Sequence, residues 1–154
     1  MYHLRIATLL AGCCFAVVSP IHAATITFTG AVANTCVINI STPGVLAMST
    51  TGTTLSSEET LGTNAILAVI ATGTAPQLQF TAPTLGGPAA SIAAATTQMA
   101  YTSPGGAAQA YTPSASNYTM NRLLDTVTVK AKATNTDGFA SGTYTVTSTV
   151  TCQQ

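Results

Sequence analysis

Charge is the scarcest property of this chain. Only 5% of its 154 residues are Asp, Glu, Lys or Arg, in equal numbers of each sign, and tryptophan is absent. Because a phosphate backbone is bound by clustered Lys and Arg side chains, this composition excludes a nucleic-acid partner. The polar surface must come from Thr, Ser, Asn and Gln, and a surface with so little net charge repels its own copies weakly. The composition therefore favours self-association.

The chain is equally short of groups for catalysis or metal binding. Its two histidines, His3 and His22, both lie in the first 23 residues. The carboxylates are limited to Glu58, Glu59, Asp125 and Asp137. General acid–base catalysis and zinc sites depend mostly on His, Cys and closely spaced carboxylates. We therefore predict that the protein is not an enzyme and has no catalytic residues, no metal site and no cofactor.

The first 23 residues have the three parts of a secretory signal peptide. Arg5 precedes an apolar run over residues 6–18, and Ile21-His22-Ala23 is a small-residue cleavage site. A rival interpretation is the bacterial lipobox, because Leu10-Ala11-Gly12-Cys13 places a cysteine where lipidation occurs. Cys13 lies in the middle of the apolar run, which favours the signal peptide. Residues 24–154 are then exported, and they are long enough for one domain.

Apolar and polar residues alternate with a period of two along much of the exported part, which is typical of half-buried strands. The alternation begins at Ile26 and is clearest over Asp125–Ala133 and Thr143–Cys152, which we expect to pair as a hairpin with a longer loop. Residues 64–72 are apolar on both faces, which suits a strand inside a sandwich, with a short buried helix as the alternative. Many short strand candidates separated by Gly and Pro predict an all-β sandwich.

Two cysteines remain after residue 23, Cys36 and Cys152. Each lies on the apolar parity of its strand, one in the first predicted strand and one in the last. If both apolar faces point inward, an intramolecular disulfide follows, with an intermolecular bond or free thiols as the alternatives. A nucleophilic or redox role is disfavoured because neither cysteine has a base or a second cysteine near it in the sequence.

Two segments resemble the chaperone-usher fimbrial subunits, the superfamily of the type 1 pilus. After the signal peptide, Phe28, Gly30, Val32, Cys36 and Ile38 form the pattern Phe-x-Gly-x-Val-x-x-x-Cys-x-Ile, which is similar to the amino-terminal region of these subunits. At the other end, the alternating segment that follows Gly142 and runs to the terminal Gln-Gln is similar to the family's final strand.

This resemblance implies an immunoglobulin-like sandwich that lacks one strand. A periplasmic chaperone, and then the amino-terminal segment of the next subunit, would fill the open groove, with an outer-membrane usher as a further partner. The subunits would form a homopolymer exported through the periplasm to the cell surface, where it supports adhesion. The implied donor-strand residues are Ile26, Phe28, Gly30 and Val32, and the implied groove residues are Tyr144, Val146 and Val150.

The alternative is a self-complete β-sandwich, secreted or lipid-anchored at the cell surface. In that protein the same seven residues are ordinary core positions, because alternation alone does not distinguish the two roles. Three tyrosines of the Gly- and Pro-rich stretch, Tyr101, Tyr111 and Tyr118, are either candidates for contact with a host or surface glycan or packing residues at the edge of the sandwich.

Overall fold

The computed structural model describes residues 25–154, so that the predicted signal peptide and the alternative lipidation site at Cys13 lie outside the described residues. Ala31–Gln154 form one compact unit, and residues 25–30, taken by themselves, contain no helix or strand. The elements are β1 (Thr35–Thr42), β2 (Ala47–Met48), β3 (Thr54–Ser56), β4 (Ala65–Thr72), β5 (Gln77–Phe80), β6 (Thr84–Gly86), α1 (Ala89–Ala93), β7 (Thr96–Thr102), β8 (Ala108–Thr112), β9 (Ser116–Thr119), β10 (Leu124–Thr134), β11 (Thr145–Thr147) and β12 (Val150–Gln153). Within residues 25–154, no helix has the length and apolar character needed to span a membrane.

The larger layer is a sheet of seven antiparallel strands built around β4 and β10. β4 pairs with β1 along one edge and with the first half of β10 along the other. The second half of β10 pairs with β7 and with β3, and β8 and β2 extend the sheet from those two strands. The strand predicted over residues 64–72 is confirmed as β4, which lies in the interior of the sheet.

The smaller layer contains the ladder β12–β5–β9 and the ladder β11–β6. Thr81 joins the two ladders, because its backbone N–H donates to the carbonyl of Thr149 at 3.0 Å and its carbonyl accepts the Ser148 hydroxyl at 2.8 Å. β11 and β12 are therefore one interrupted strand at the edge of this layer, and we call them together the last strand.

The core lies between the two layers, and this arrangement confirms the all-β sandwich. Leu67 and Val69 of β4 pack with Leu78 and Phe80 of β5, and the ring of Phe80 stacks on that of Tyr101 with centroids 4.5 Å apart. Tyr101 and Tyr118 are both buried in this core. Of the three tyrosines considered for a glycan, these two therefore have packing roles.

Cys36 of β1 and Cys152 of β12 form the intramolecular disulfide, with Cα atoms 6.2 Å apart. The bond joins the edge strand of the larger sheet to the edge strand of the smaller layer, as the inward parity of the two cysteines predicts. It closes a loop with a sequence separation of 116 residues. In the chain-entropy model, a loop of that size corresponds to a stabilisation on the order of 4 to 5 kcal/mol.

Two sequence predictions were wrong. The first strand begins at Thr35 rather than Ile26, since residues 25–34 contain no strand. The predicted hairpin does not form either, since β10 and the last strand belong to different layers. Buried Asn135 turns the chain out of the larger sheet: its side-chain amide donates to the Ser91 carbonyl at 3.0 Å and its side-chain oxygen accepts the Asp137 N–H at 2.9 Å.

Candidate functional site

Two of the strand edges that have no partner strand within the described residues, one on β1 and one on the last strand, border the same part of the sandwich. Within residues 25–154, β1 pairs only with β4, and the last strand pairs only with β5 and β6. The two free edges lie beside one another, because the Cys36–Cys152 disulfide joins β1 to β12. Unpaired N–H and C=O groups along such an edge are a template on which another strand can pair.

An apolar groove of about 320 Å³ lies between these two edges. One side of it is formed by Ile40 and by Val45 and Leu46, which follow β1. The other side is formed by Val146 and Val150 of the last strand. The groove is therefore bounded by apolar side chains from both free edges, which is the surface that an amphipathic strand would cover.

Ile40 is an inward-facing residue of the groove that the rest of the described chain leaves largely uncovered. It lies on the same face of β1 as Cys36 and Ile38, which pack against the core, and its Cα partner on β4 is the buried Leu67. Nevertheless, 62% of Ile40 is exposed. Full burial of an isoleucine side chain is worth about 1.5–3 kcal/mol, most of which is missing here. An inward-facing residue with this exposure marks a place where the sandwich is uncovered.

The floor of the groove is the hydrophobic core itself. Leu67, Phe80 and Met99 belong to the buried cluster and also line the groove, together with Val129 and Ala131 of β10. Val129 and Ala131 lie on the face of β10 that the alternation predicts to be apolar. A strand placed in the groove would therefore bury core residues of the larger sheet as well as the two walls.

The two ends of the groove differ. At one end, the Cys36–Cys152 disulfide connects β1 to the last strand, and the Gln154 side chain donates to the Thr35 carbonyl. At the other end, residues 43–46 and Val146 line the groove, and no cross-link joins the two walls within the described residues. The groove is thus closed by covalent structure at one end only.

The structure brings two of the three predicted groove residues together. Val146 and Val150 both line the groove. Tyr144 does not, because its ring packs edge-to-face on Phe139 with centroids 5.1 Å apart and its hydroxyl donates to the Ala140 carbonyl at 2.8 Å. Ile40 was not among the predicted groove residues, although it has the even-numbered apolar parity of β1.

The four donor-strand candidates lie in no strand. Ile26 and Phe28 are 78% and 92% exposed, and Val32 is 80% exposed. A Cβ atom placed on Gly30 would meet no heavy atom within 4 Å. These three large apolar side chains share one parity and are largely exposed, which is costly in water.

A second cluster of polar groups lies on the surface at β8 and β10. The Glu58 carboxylate accepts hydrogen bonds from the Lys130 ammonium and, at 2.7 Å, from the Tyr111 hydroxyl. Lys132 lies 4.3 Å from the centroid of the Tyr111 ring. Burial and the hydrogen bond to Glu58 raise the pKa of Tyr111 to about 12. The hydrogen bond from Lys130 is the main cause that holds the pKa of Glu58 below its ordinary value.

Replacing Glu58 with glutamine should test this cluster. Because the Glu58–Lys130 pair is exposed to solvent, we expect the free energy of unfolding to fall by only about 0.5–1 kcal/mol, and the difference to shrink at high salt. The pKa of Tyr111 should fall but stay raised, since its burial remains; ultraviolet absorbance during a titration measures it. Glu59→Gln is the matched control, and an equal effect there would contradict the assignment.

Comparison of the chain with protein-family models, curated proteins and solved structures found no match. The groove offers two free backbone edges and an apolar floor, and it contains no pair of groups suited to acid–base chemistry. Its arrangement favours binding of a strand.

Proposed function

We propose that this protein is a structural subunit of a cell-surface fimbria that polymerises by donating a strand. Each copy receives a segment of a neighbouring copy in its groove and thereby completes its immunoglobulin-like sandwich. The observation that carries the proposal is the apolar groove between two unpaired edges, with inward-facing Ile40 largely exposed. One inserted strand pairs with free backbone groups and covers the core at once, which is the mechanism of strand addition.

The segment that best matches the groove is residues 26–32 of a second copy. Ile26, Phe28, Gly30 and Val32 occupy alternate positions and so share one face of an extended strand, about 6.6 Å apart in succession. On the last strand, Val146 and Val150 are four residues apart on the groove side, so the two strands have the same period. Exposure of the three large apolar residues of this segment supports the match.

The proposed function requires assembly factors that protect the subunit during export. An open groove and an exposed apolar segment both promote aggregation before assembly. We therefore infer a periplasmic chaperone that covers the groove, and an outer-membrane usher at which one copy replaces the chaperone on the next. The finished polymer lies at the cell surface and supports adhesion, where a host or surface glycan is a candidate ligand.

One observation favours the second candidate, a self-complete surface or secreted sandwich. The disulfide joins the first strand to the last and stabilises the domain without any partner. In that case the chain stays monomeric, and the groove remains a surface feature. The two candidates therefore differ in oligomeric state, which a single experiment measures.

The experiment is a gel of protein sheared from the native cell surface, run in detergent without boiling, with and without reductant. Donor-strand polymers are expected to give a ladder that survives reductant and collapses on boiling, because strand exchange is kinetically trapped. A ladder lost with reductant alone would indicate intermolecular disulfides. A monomer band in every lane would exclude the polymer and leave the self-complete sandwich.

A matched pair of variants makes the assignment of the donor specific. Phe28→Asp should abolish the ladder, because a carboxylate in the groove of the neighbour would be buried without a partner. Val37→Asp introduces the same charge on the opposite, solvent-facing side of β1 and should leave the ladder in place. Equal loss in both variants would contradict the role given to Phe28.

A further inference from the structure

We propose that the Cys36–Cys152 disulfide prevents a copy from filling its own groove, and so directs residues 26–32 to a second copy. The inference rests on the proposed function and goes beyond it, because it assigns the cross-link a role in choosing the partner.

The groove is too narrow for a strand at the disulfide. Neighbouring strands lie about 4.8 Å apart, so that a strand paired between two others needs about 9.6 Å between them. The Cα atoms of Cys36 and Cys152 are only 6.2 Å apart. An inserted strand therefore has to end before the disulfide, and its connection to the rest of its chain has to leave at the opposite end, near Val45 and Val146.

The chain enters β1 at the closed end. Thr35 is the first residue of β1 and Cys36 the second, so that residues 26–32 precede β1 by only a short connection. In that connection, the carbonyl of Ala33 accepts the hydroxyl of Thr72 at 2.5 Å. Thr72 belongs to β4, which pairs with the edge of β1 that faces away from the groove. The connection is thus held on the side opposite the groove.

Self-insertion would require a tight hairpin at Ala33 and Asn34. Such a turn would place Val32 beside Thr35 and would run the preceding residues along the free edge of β1. The next position on that edge is Cys36, which is bonded to Cys152 of the opposite wall. With the disulfide present, the hairpin has no place to start, whereas a segment from a second copy enters from the open end. Ile26 of the donor then lies toward the disulfide and Val32 toward the open end.

Removing the disulfide should therefore convert polymers into self-completed monomers. The test is the full chain with Cys36→Ser and Cys152→Ser, compared with the wild type on the unboiled gel. A short connection gives the segment an effective concentration near 1 mM for its own groove, about a hundredfold above a subunit concentration of about 10 µM. We expect the ladder to fall about a hundredfold, and residues 25–33 of the monomer to become protected from proteolysis.

A second pair of variants keeps the disulfide and does not depend on folding without it. About twelve Gly/Ser residues inserted between Ala33 and Asn34 have a root-mean-square span of about 19 Å, which is close to the length of the groove. With this insertion, residues 26–32 should reach the open end of the groove in their own chain, and the variant should be monomeric. The matched control inserts about four such residues, spans about 11 Å, and should keep the ladder.

The outcomes separate the two hypotheses. A wild-type chain without a ladder refutes the proposed function, and this inference with it. A wild-type ladder that persists unchanged in a folded double-serine variant overturns the inference alone. If the double-serine variant does not fold, the two insertion variants decide. A ladder with both insertions overturns the inference. A monomer with the longer insertion, together with a ladder with the shorter one, supports it.

Discussion

Asp125→Asn is expected to lower the free energy of unfolding by about 3 kcal/mol. Asp125 is 3% exposed, and its carboxylate accepts four hydrogen bonds. Its donors are the Ser103 hydroxyl at 2.6 Å, the Tyr118 hydroxyl at 2.8 Å, the Thr126 N–H at 2.9 Å and the Gly105 N–H at 3.0 Å. An asparagine amide turns an N–H₂ group toward some of these donors, which leaves buried groups unpaired.

The effect of Asp125→Asn should depend on pH in a defined direction. Burial raises the pKa of the Asp125 carboxyl, but the hydrogen bonds from Ser103 and Tyr118 and from backbone N–H groups outweigh it, and the pKa lies below its ordinary value. A depressed pKa stabilises the folded state above the ordinary aspartate pKa of about 3.9, and this stabilisation is lost as pH falls through the folded value. The difference in the free energy of unfolding between wild type and Asp125→Asn should therefore become smaller below about pH 4.

Urea unfolding at pH 7 and at pH 3 measures both parts of this prediction. Asp137→Asn is the matched control, because Asp137 is exposed and its side chain makes no hydrogen bond within the described residues. Its substitution should change the free energy of unfolding by less than about 0.5 kcal/mol. Equal losses of unfolding free energy in the two variants would contradict the hydrogen-bond network around Asp125. So would a difference between wild type and Asp125→Asn that grows on acidification.

Local alternation was enough to predict several strands and the disulfide. Val127 and Ala133, which lie on the apolar parity of the alternating segment 125–133, are both fully buried, and Cys36 and Cys152 meet as their parity predicts. These predictions succeed because a strand that covers a core on one side has a period of two, whatever its partner. The same reasoning extended β1 too far: residues before Thr35 alternate, but alternation does not supply a partner strand.

Pairing between strands was not predictable from the same pattern. The segments that contain β10 and the last strand are adjacent in sequence and both alternate, yet buried Asn135 and its bond to Ser91 lead the chain into the other layer. A side-chain contact over 44 residues leaves no periodic trace in the sequence. For the same reason the groove was only half predicted. The resemblance to fimbrial subunits implied Val146 and Val150, which line it, whereas the opposite wall depends on where the two layers separate.

Filling the groove with a strand should stabilise the protein strongly against unfolding. A synthetic peptide of residues 25–33, added to the full-length Phe28→Asp chain, supplies the donor that this chain lacks. Burial of Ile26, Phe28 and Val32 is worth about 1.5–3 kcal/mol for each side chain, and ordering the peptide offsets part of it. At a peptide concentration about 100 times its Kd, the stabilisation is about 2.7 kcal/mol, or roughly 5–10 °C in Tm.

Two control variants test whether the rise in Tm comes from binding in the groove. Val150→Asp, added to the Phe28→Asp chain, places a charge in the groove wall and should abolish the response to the peptide, because the carboxylate would be buried without a partner. Val37→Asp in the same background changes the solvent-facing side of β1 and should leave the response intact. A peptide that itself carries Phe28→Asp should have little effect. If the peptide raises Tm equally with and without Val150→Asp, it binds elsewhere, and residues 26–32 are not the strand that completes this sandwich.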